Sequence, residues 1–152
     1  MTEINFYFID TEKDRFLYSF LFKILDSSKK IVIYNNSIER INYLDEILWT
    51  WGETKFLPHG TKKDGNIDKH PIYLTTEKEN PNKANFLIIE ENLEDLDFLK
   101  SFEKVFYIFD NAKESIDKAK AVWLEFEKNK LSLTLISRTE DGEWKKSKEF
   151  EL

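Results

Sequence analysis

The side chains in this 152-residue chain that could move protons or hold a metal are two histidines, His59 and His70, and 29 carboxylates. The histidines lie in loop-like sequence, and no carboxylate stands at a spacing that would complete a metal site with either of them. His59, between Pro58 and Gly60, reads as a turn residue or as part of a contact surface. Cysteine is absent, which removes thiolate nucleophiles, disulfides and Cys-based metal sites and suits the cytoplasm. No G-x-S-x-G elbow presents a serine nucleophile. The carboxylates are spread through the chain, so no pair is favoured for acid–base work. The expectation is a protein with no catalytic, metal or cofactor-binding residues.

A nucleotide site is the next chemistry to weigh. Leu87-Ile88-Ile89-Glu90-Glu91 has the form of the apolar strand with an acidic end that holds magnesium in P-loop enzymes. The partner element is missing: the glycines stand at 52, 60, 65 and 142, and no G-x-G-x-x-G or G-x-x-x-x-G-K-[ST] follows any expected strand. A solvated strand end is the better reading of Glu90 and Glu91. A nucleotide-dependent enzyme, or a helicase-like remnant of one, is the alternative kept from this class.

Binding surfaces have more support. Leu44-Asp45-Glu46-Ile47-Leu48-Trp49-Thr50-Trp51 is followed by Phe56-Leu57-Pro58-His59-Gly60, so large aromatics cluster where a helical pattern breaks into a loop. Aromatics anchor interfaces because they bury much area with few rotors to freeze; the competing reading is that they close the core beneath the loop. A second cluster joins Phe109, at a strand end, to Lys118, Lys120 and Trp123 on the next helix. Lys120 and Trp123 are one turn apart, a pairing suited to an acidic aromatic peptide ending in a carboxylate. Trp123 also belongs to an apolar stripe, which makes a core position the competing reading.

The elements that would carry these residues follow an α/β pattern. Ile4–Ile9 reads as a first strand. Thr11 with Asp14 has capping-box spacing before a helix over Phe16–Leu25, apolar on most of its circumference. Lys30–Tyr34, Phe86–Ile89 and Val105–Phe109 have the continuous apolar character of buried parallel strands. Asn36 with Glu39 signals a second cap, after which Ile38, Ile41, Leu44 and Leu48 trace one helical face. Pro71 opens a short strand, Pro71–Thr75, suited to a sheet edge or a first strand position. An acidic helical segment is expected near Leu93–Phe102. Ala112, Ile116, Ala119, Trp123 and Phe126 mark a helix over 111–128, with Glu114 and Lys118 as an i,i+4 pair. Leu131–Ile136 alternates before the Asp141-Gly142 hairpin signal, and Glu143-Trp144 returns. Residues 61–69 and 77–85 read as mobile loops.

The whole, residues 1–152, is expected to be one α/β domain with right-handed crossovers. Its net charge of −6 argues against gripping nucleic-acid phosphates, so any DNA contact is mostly indirect; the lysines of residues 113–130 are the best local basic patch. Neither a signal-like start nor an 18-residue apolar run occurs, so no membrane partner is expected.

Taken in order, several of these stretches resemble the chi subunit family of bacterial DNA polymerase III. They are Phe6-Tyr7-Phe8-Ile9-Asp10, the L-D-x-x-L-W helix end at Leu44–Trp49, Phe56-Leu57-Pro58-His59-Gly60, Pro71-Ile72, Val105–Asp110, Ala119–Trp123 and Asp141-Gly142-Glu143-Trp144. The resemblance implies a Rossmann-like sheet flanked by helices without a phosphate-binding loop. It also implies a non-catalytic accessory role, linking the clamp loader through its psi subunit to the C-terminal tail of single-stranded DNA-binding protein. It places Trp49 and Phe56, with Trp51, Pro58 and His59 beside them, at the psi or polymerase-side face, and Phe109, Lys118, Lys120 and Trp123 at the tail-binding face. Leu124 and Ile116 stand where the family can carry basic residues, and loss of those charges would weaken attraction to an acidic tail. An adaptor for a DNA repair helicase, using the Trp49 face, is a further alternative.

Overall fold

The computed structural model describes residues 2–50, 58–65 and 69–152. Eight strands and four α-helices are found among them: β1 (Glu3–Ile9), α1 (Lys13–Asp26), β2 (Ile31–Tyr34), α2 (Ile38–Thr50), β3 (His59–Thr61), β4 (Ile72–Thr75), β5 (Phe86–Ile89), α3 (Leu96–Lys100), β6 (Lys104–Asp110), α4 (Lys113–Lys128), β7 (Ser132–Arg138) and β8 (Trp144–Ser147). The strands form a single mixed sheet in the order β3-β4-β2-β5-β6-β1-β7-β8. Every pairing is parallel except that of β7 with β8. No described helix is long and apolar enough to cross a membrane.

Strand alternation sorts the core into two layers. Ile31, Ile33, Ile72, Leu74, Phe86, Ile88, Phe106 and Ile108 face α1 and α2, whose Leu17, Leu21, Ile24, Ile41, Leu44, Ile47 and Leu48 complete that side. Ile4, Phe6, Val32, Tyr73, Leu87, Ile89, Val105 and Tyr107 face the opposite way, toward Leu99 of α3 and Ala119, Val122, Trp123 and Phe126 of α4. From β1 the chain runs along the sheet to the β3 edge and then returns. With right-handed crossovers this reversal puts the first two helices on one face and the last two on the other.

Several local expectations are corrected. The cap of α1 falls on Glu12, with no side-chain bond, because Asp14 is drawn to Arg40. Ser37, not Asn36, caps α2: its Oγ accepts from the Arg40 N–H at 3.3 Å. Pro71 stands directly before β4, which begins at Ile72, and its carbonyl accepts from the Ile31 N–H at 2.8 Å. The edge belongs to β3, formed by His59-Gly60-Thr61 where a turn was expected. A Cβ on Gly60 would lie 2.5 Å from the His70 ring, so only glycine lets these segments approach. Residues 77–85 are pinned: the buried Asn82 amide donates to the carbonyls of His70 at 2.9 Å and Ile31 at 3.3 Å. In residues 61–69, Thr61 and Asp64 form a capping box on a short 3-10 turn. The acidic helix is only the five residues of α3, capped by Asp95.

At the C-terminal end of β5, Glu90 is neither a metal ligand awaiting a partner loop nor a solvated strand end. Its side chain is 8% exposed and meets Arg40 Nη2 at 2.7 Å and Lys13 Nζ at 2.9 Å. Arg40 Nε donates to the other Glu90 oxygen at 2.9 Å. The same guanidinium grips Asp14 at 2.6 and 3.3 Å. Burial alone would push the Glu90 carboxyl up, but the hydrogen bond from Arg40 and the charges of Lys13 and Arg40 outweigh it and hold the group at about 2. The network ties the starts of α1 and α2 to the middle of the sheet.

Because the folded value lies below the unfolded one, Glu90 stabilises the fold above the unfolded pKa, and that contribution fades as pH falls from about 5 toward 2. Its size is on the order of 3 kcal/mol. Glu90→Gln should lower stability at neutral pH by a similar amount and flatten the acid limb of stability against pH, measured by urea unfolding between pH 7 and pH 2. An unchanged acid limb would show that the network does not set it.

Candidate functional site

The first surface lies where α2 meets β3. α2 is amphipathic, and its buried residues Ile41, Leu44, Ile47 and Leu48 leave its other side to solvent. Of the six exposed large hydrophobic residues described, Ile38, Tyr43 and Trp49 all belong to this helix. Trp49 is 53% exposed and its ring lies 4.9 Å from that of His59. His59 is no surface contact residue: its side chain is fully buried, with Nε2 3.1 Å from Asp45 Oδ1. It is the floor on which Trp49 rests, and Asp45, one turn before Trp49 on α2, lies beside that floor. Pro58 is exposed beside it. Trp51 and Phe56 lie outside the described residues.

The second surface is α4. Its apolar stripe faces the sheet, which buries Ala119, Val122, Trp123 and Phe126. Trp123 is 2% exposed and Phe109 is 3% exposed, so both are core positions. Trp123 meets Phe6 edge-on at 5.1 Å, and Phe109 packs on Phe8 at 5.4 Å. Lys118 and Lys120 are exposed on the helix. Lys118 reaches Glu91 at 4.0 Å, a weak surface contact that replaces the expected pairing with Glu114. Leu124, one turn beyond Lys120, is exposed and apolar.

Phe109 and Trp123 belong to the same core layer, and a third, half-buried residue touches both. Phe150, after β8, stacks on Phe109 with centroids 5.9 Å apart and planes at 19°, and meets Trp123 at 5.7 Å. Along the other side of α4 a groove of about 680 Å³ runs past Lys118, Val122 and Glu125 against Leu93, Glu94 and Leu96. Its carboxylates make it a poor receiver for an acidic ligand.

Sequence reasoning missed two sets of residues. Lys13, Asp14, Arg40 and Glu90 come together from three separate segments, and their only local sign was an acidic residue directly after a buried strand. Phe150 stands in the polar stretch Lys148-Glu149-Phe150-Glu151, where a lone aromatic has no periodicity to mark it. A large apolar side chain among charges was the signal available.

A model of the family described as DNA polymerase III chi subunit, HolC, matches residues 1–134. The Asp141–Trp144 hairpin and Phe150 lie beyond that stretch. A probable DNA polymerase III subunit chi of Rickettsia prowazekii (strain Madrid E) is 36% identical over 101 residues, covering 60% of this chain and 61% of the relative. The chain thus spans about three fifths of that relative's length. Matched along both helix layers and from β1 through β6 into the first residues of β7, this chain belongs to the DNA polymerase III chi subunit family.

Proposed function

We propose that this protein is a non-catalytic connector within the DNA polymerase III holoenzyme, acting in the cytoplasm. It ties the clamp loader, through a psi subunit, to the acidic C-terminal tail of single-stranded DNA-binding protein. The observation that carries this reading is that the two candidate surfaces stand on opposite faces of one sheet. α2, with Trp49, covers one face, and α4, with Lys118 and Lys120, covers the other. Two partners can therefore be held at once without competing for space. Tethering of this kind works by raising local concentration and needs no reacting group.

On the α2 side Trp49 is the anchor, supported from below by His59, with Ile38 and Tyr43 exposed further toward the start of the same helix. A tryptophan at the centre of an interface commonly contributes 2 kcal/mol or more. On the α4 side, Lys120 and Lys118 supply the positive charge for an acidic tail and Leu124 an apolar contact. Phe109 and Trp123 act from beneath, by shaping the aromatic layer next to the helix.

Two experiments test the assignment. In titrations with a peptide of the tail of the cognate single-stranded DNA-binding protein, Lys120→Glu should bind about 5- to 10-fold more weakly than wild type, since an exposed charge pair contributes at most about 1 kcal/mol and reversal adds repulsion. The difference should shrink as salt is raised, and equal affinities at low salt would remove Lys120 from the site. Trp49→Ala should weaken recovery of the clamp-loader-side partner by at least about 30-fold, corresponding to 2 kcal/mol, and leave affinity for the tail peptide unchanged. A loss of both activities would mean that the two faces are not independent.

A further inference from the structure

The ligand expected on the α4 side is an acidic peptide bearing an aromatic residue, and the chain carries such a segment itself. Glu149-Phe150-Glu151 follows β8 and places its ring against Phe109 and Trp123. We propose that Phe150 occupies the aromatic floor that takes the partner's aromatic side chain, so that the segment after β8 is a stand-in ligand which the incoming tail displaces. This rests on the tail-binding reading given above.

The floor is a surface built for a phenyl ring. Phe109 offers its face to Phe150 and Trp123 offers an edge, with Phe8 behind Phe109. Half-buried Ile116 packs against the same cluster. Geometries of this sort add roughly 0.5–1.5 kcal/mol per pair beyond area burial.

Little else holds the segment. Lys148 is anchored, its Nζ donating to Thr134 Oγ1 at 2.9 Å and to the Leu133 carbonyl at 3.4 Å. Beyond it the Glu149 N–H donates to Ser147 Oγ at 3.1 Å, within the same stretch of chain. Among the described residues, no hydrogen bond or ion pair joins residues 149–152 to α4 or to the central sheet. The acids on either side of the ring work against docking. The Glu149 carboxyl is raised above its ordinary range by a shared hydrogen bond with Glu151, by the charge of Glu151, by slight desolvation and by Glu127 of α4. Like charges are therefore gathered where the segment meets the helix. Neither Glu149 nor Glu151 is paired with Lys120, and Lys118 reaches Glu91 instead, so the segment leaves Lys120 to a competitor. An acidic tail that presents an aromatic ring to the same floor and reaches Lys120 gains a contact that Phe150 lacks.

The full chain, with a fluorine label on the Phe150 ring, tests this against a synthetic peptide of about the last ten residues of the cognate single-stranded DNA-binding protein. The fluorine resonance should start away from its position in a free phenylalanine peptide and move to it as the tail peptide binds. Phe150→Ala should bind the tail peptide about 5- to 10-fold more tightly than wild type, as expected when the floor is open in a tenth to a fifth of molecules. A thermal unfolding midpoint close to wild type would show that the variant is folded. A resonance already at the free position before peptide is added would overturn the occupancy. Tail binding that leaves the resonance unmoved, or that is equally tight in wild type and Phe150→Ala, would overturn the displacement. No tail binding by either protein, with the resonance still shifted, would overturn the tail-binding reading itself and reduce Phe150 to a packing contact.

Discussion

Glu90 sits where a charged side chain is costly: at the end of a central strand, covered by the starts of two helices. A buried carboxylate persists only if its oxygens are satisfied and its charge is countered, because removing one partner of a buried pair costs several kcal/mol. Arg40 meets that demand with two donors from one edge of its guanidinium and Lys13 adds a third. Two of the remaining guanidinium donors, on Nη1 and Nη2, go to Asp14. Each member therefore constrains the others, and the geometry of α1 relative to α2 follows from satisfying all four. The surface that carries Trp49 is the far end of the helix that Arg40 anchors.

The same crest is where open α/β sheets commonly receive ligands, in the crevice beyond the carboxyl ends of the strands. Here that ground holds an internal network of charges. The reversal in strand order places amphipathic helices on both faces of the sheet, each with its apolar side covered by strands and its outer side exposed to solvent. His59, buried on the edge strand beside Asp45, is the base beneath a half-exposed indole.

Much of the fold was legible because it follows from local periodicity. β2, β5 and β6 are covered on both faces, so their apolar runs are continuous and readable as buried parallel strands. α4 shows its stripe, and Asp141-Gly142 marks the β7–β8 hairpin, with Gly142 at φ 82°. β3 was not legible, since His59-Gly60-Thr61 has no strand pattern; it is buried because β4 and α2 cover it and because Gly60 lets the His70 ring come close. The loop around Pro81 looked mobile for its polarity, yet Asn82 is fully buried and spends its amide on carbonyls from two other segments. Capping failed at Thr11 for a related reason: Asp14 was better satisfied by Arg40 than by the backbone of its own helix.

By itself the sequence determined most of the elements, their order and the lack of a glycine-rich phosphate cradle. It also carried the ordered stretches that mark the chi family. All of these are set within a few residues, or by order along the chain. Only the tertiary structure decided which of the aromatic and charged residues face outward. Trp123 lies on a stripe that fits either a core or a docking ridge, and it is core because Phe6, far away in sequence, meets it. Arg40, Asp14 and Glu90 form one network across separations of 26 and 50 residues. Phe150 covers Phe109 only because the hairpin brings it back across the sheet. Burial and charge pairing depend on neighbours in space, and periodicity along the chain carries no record of them.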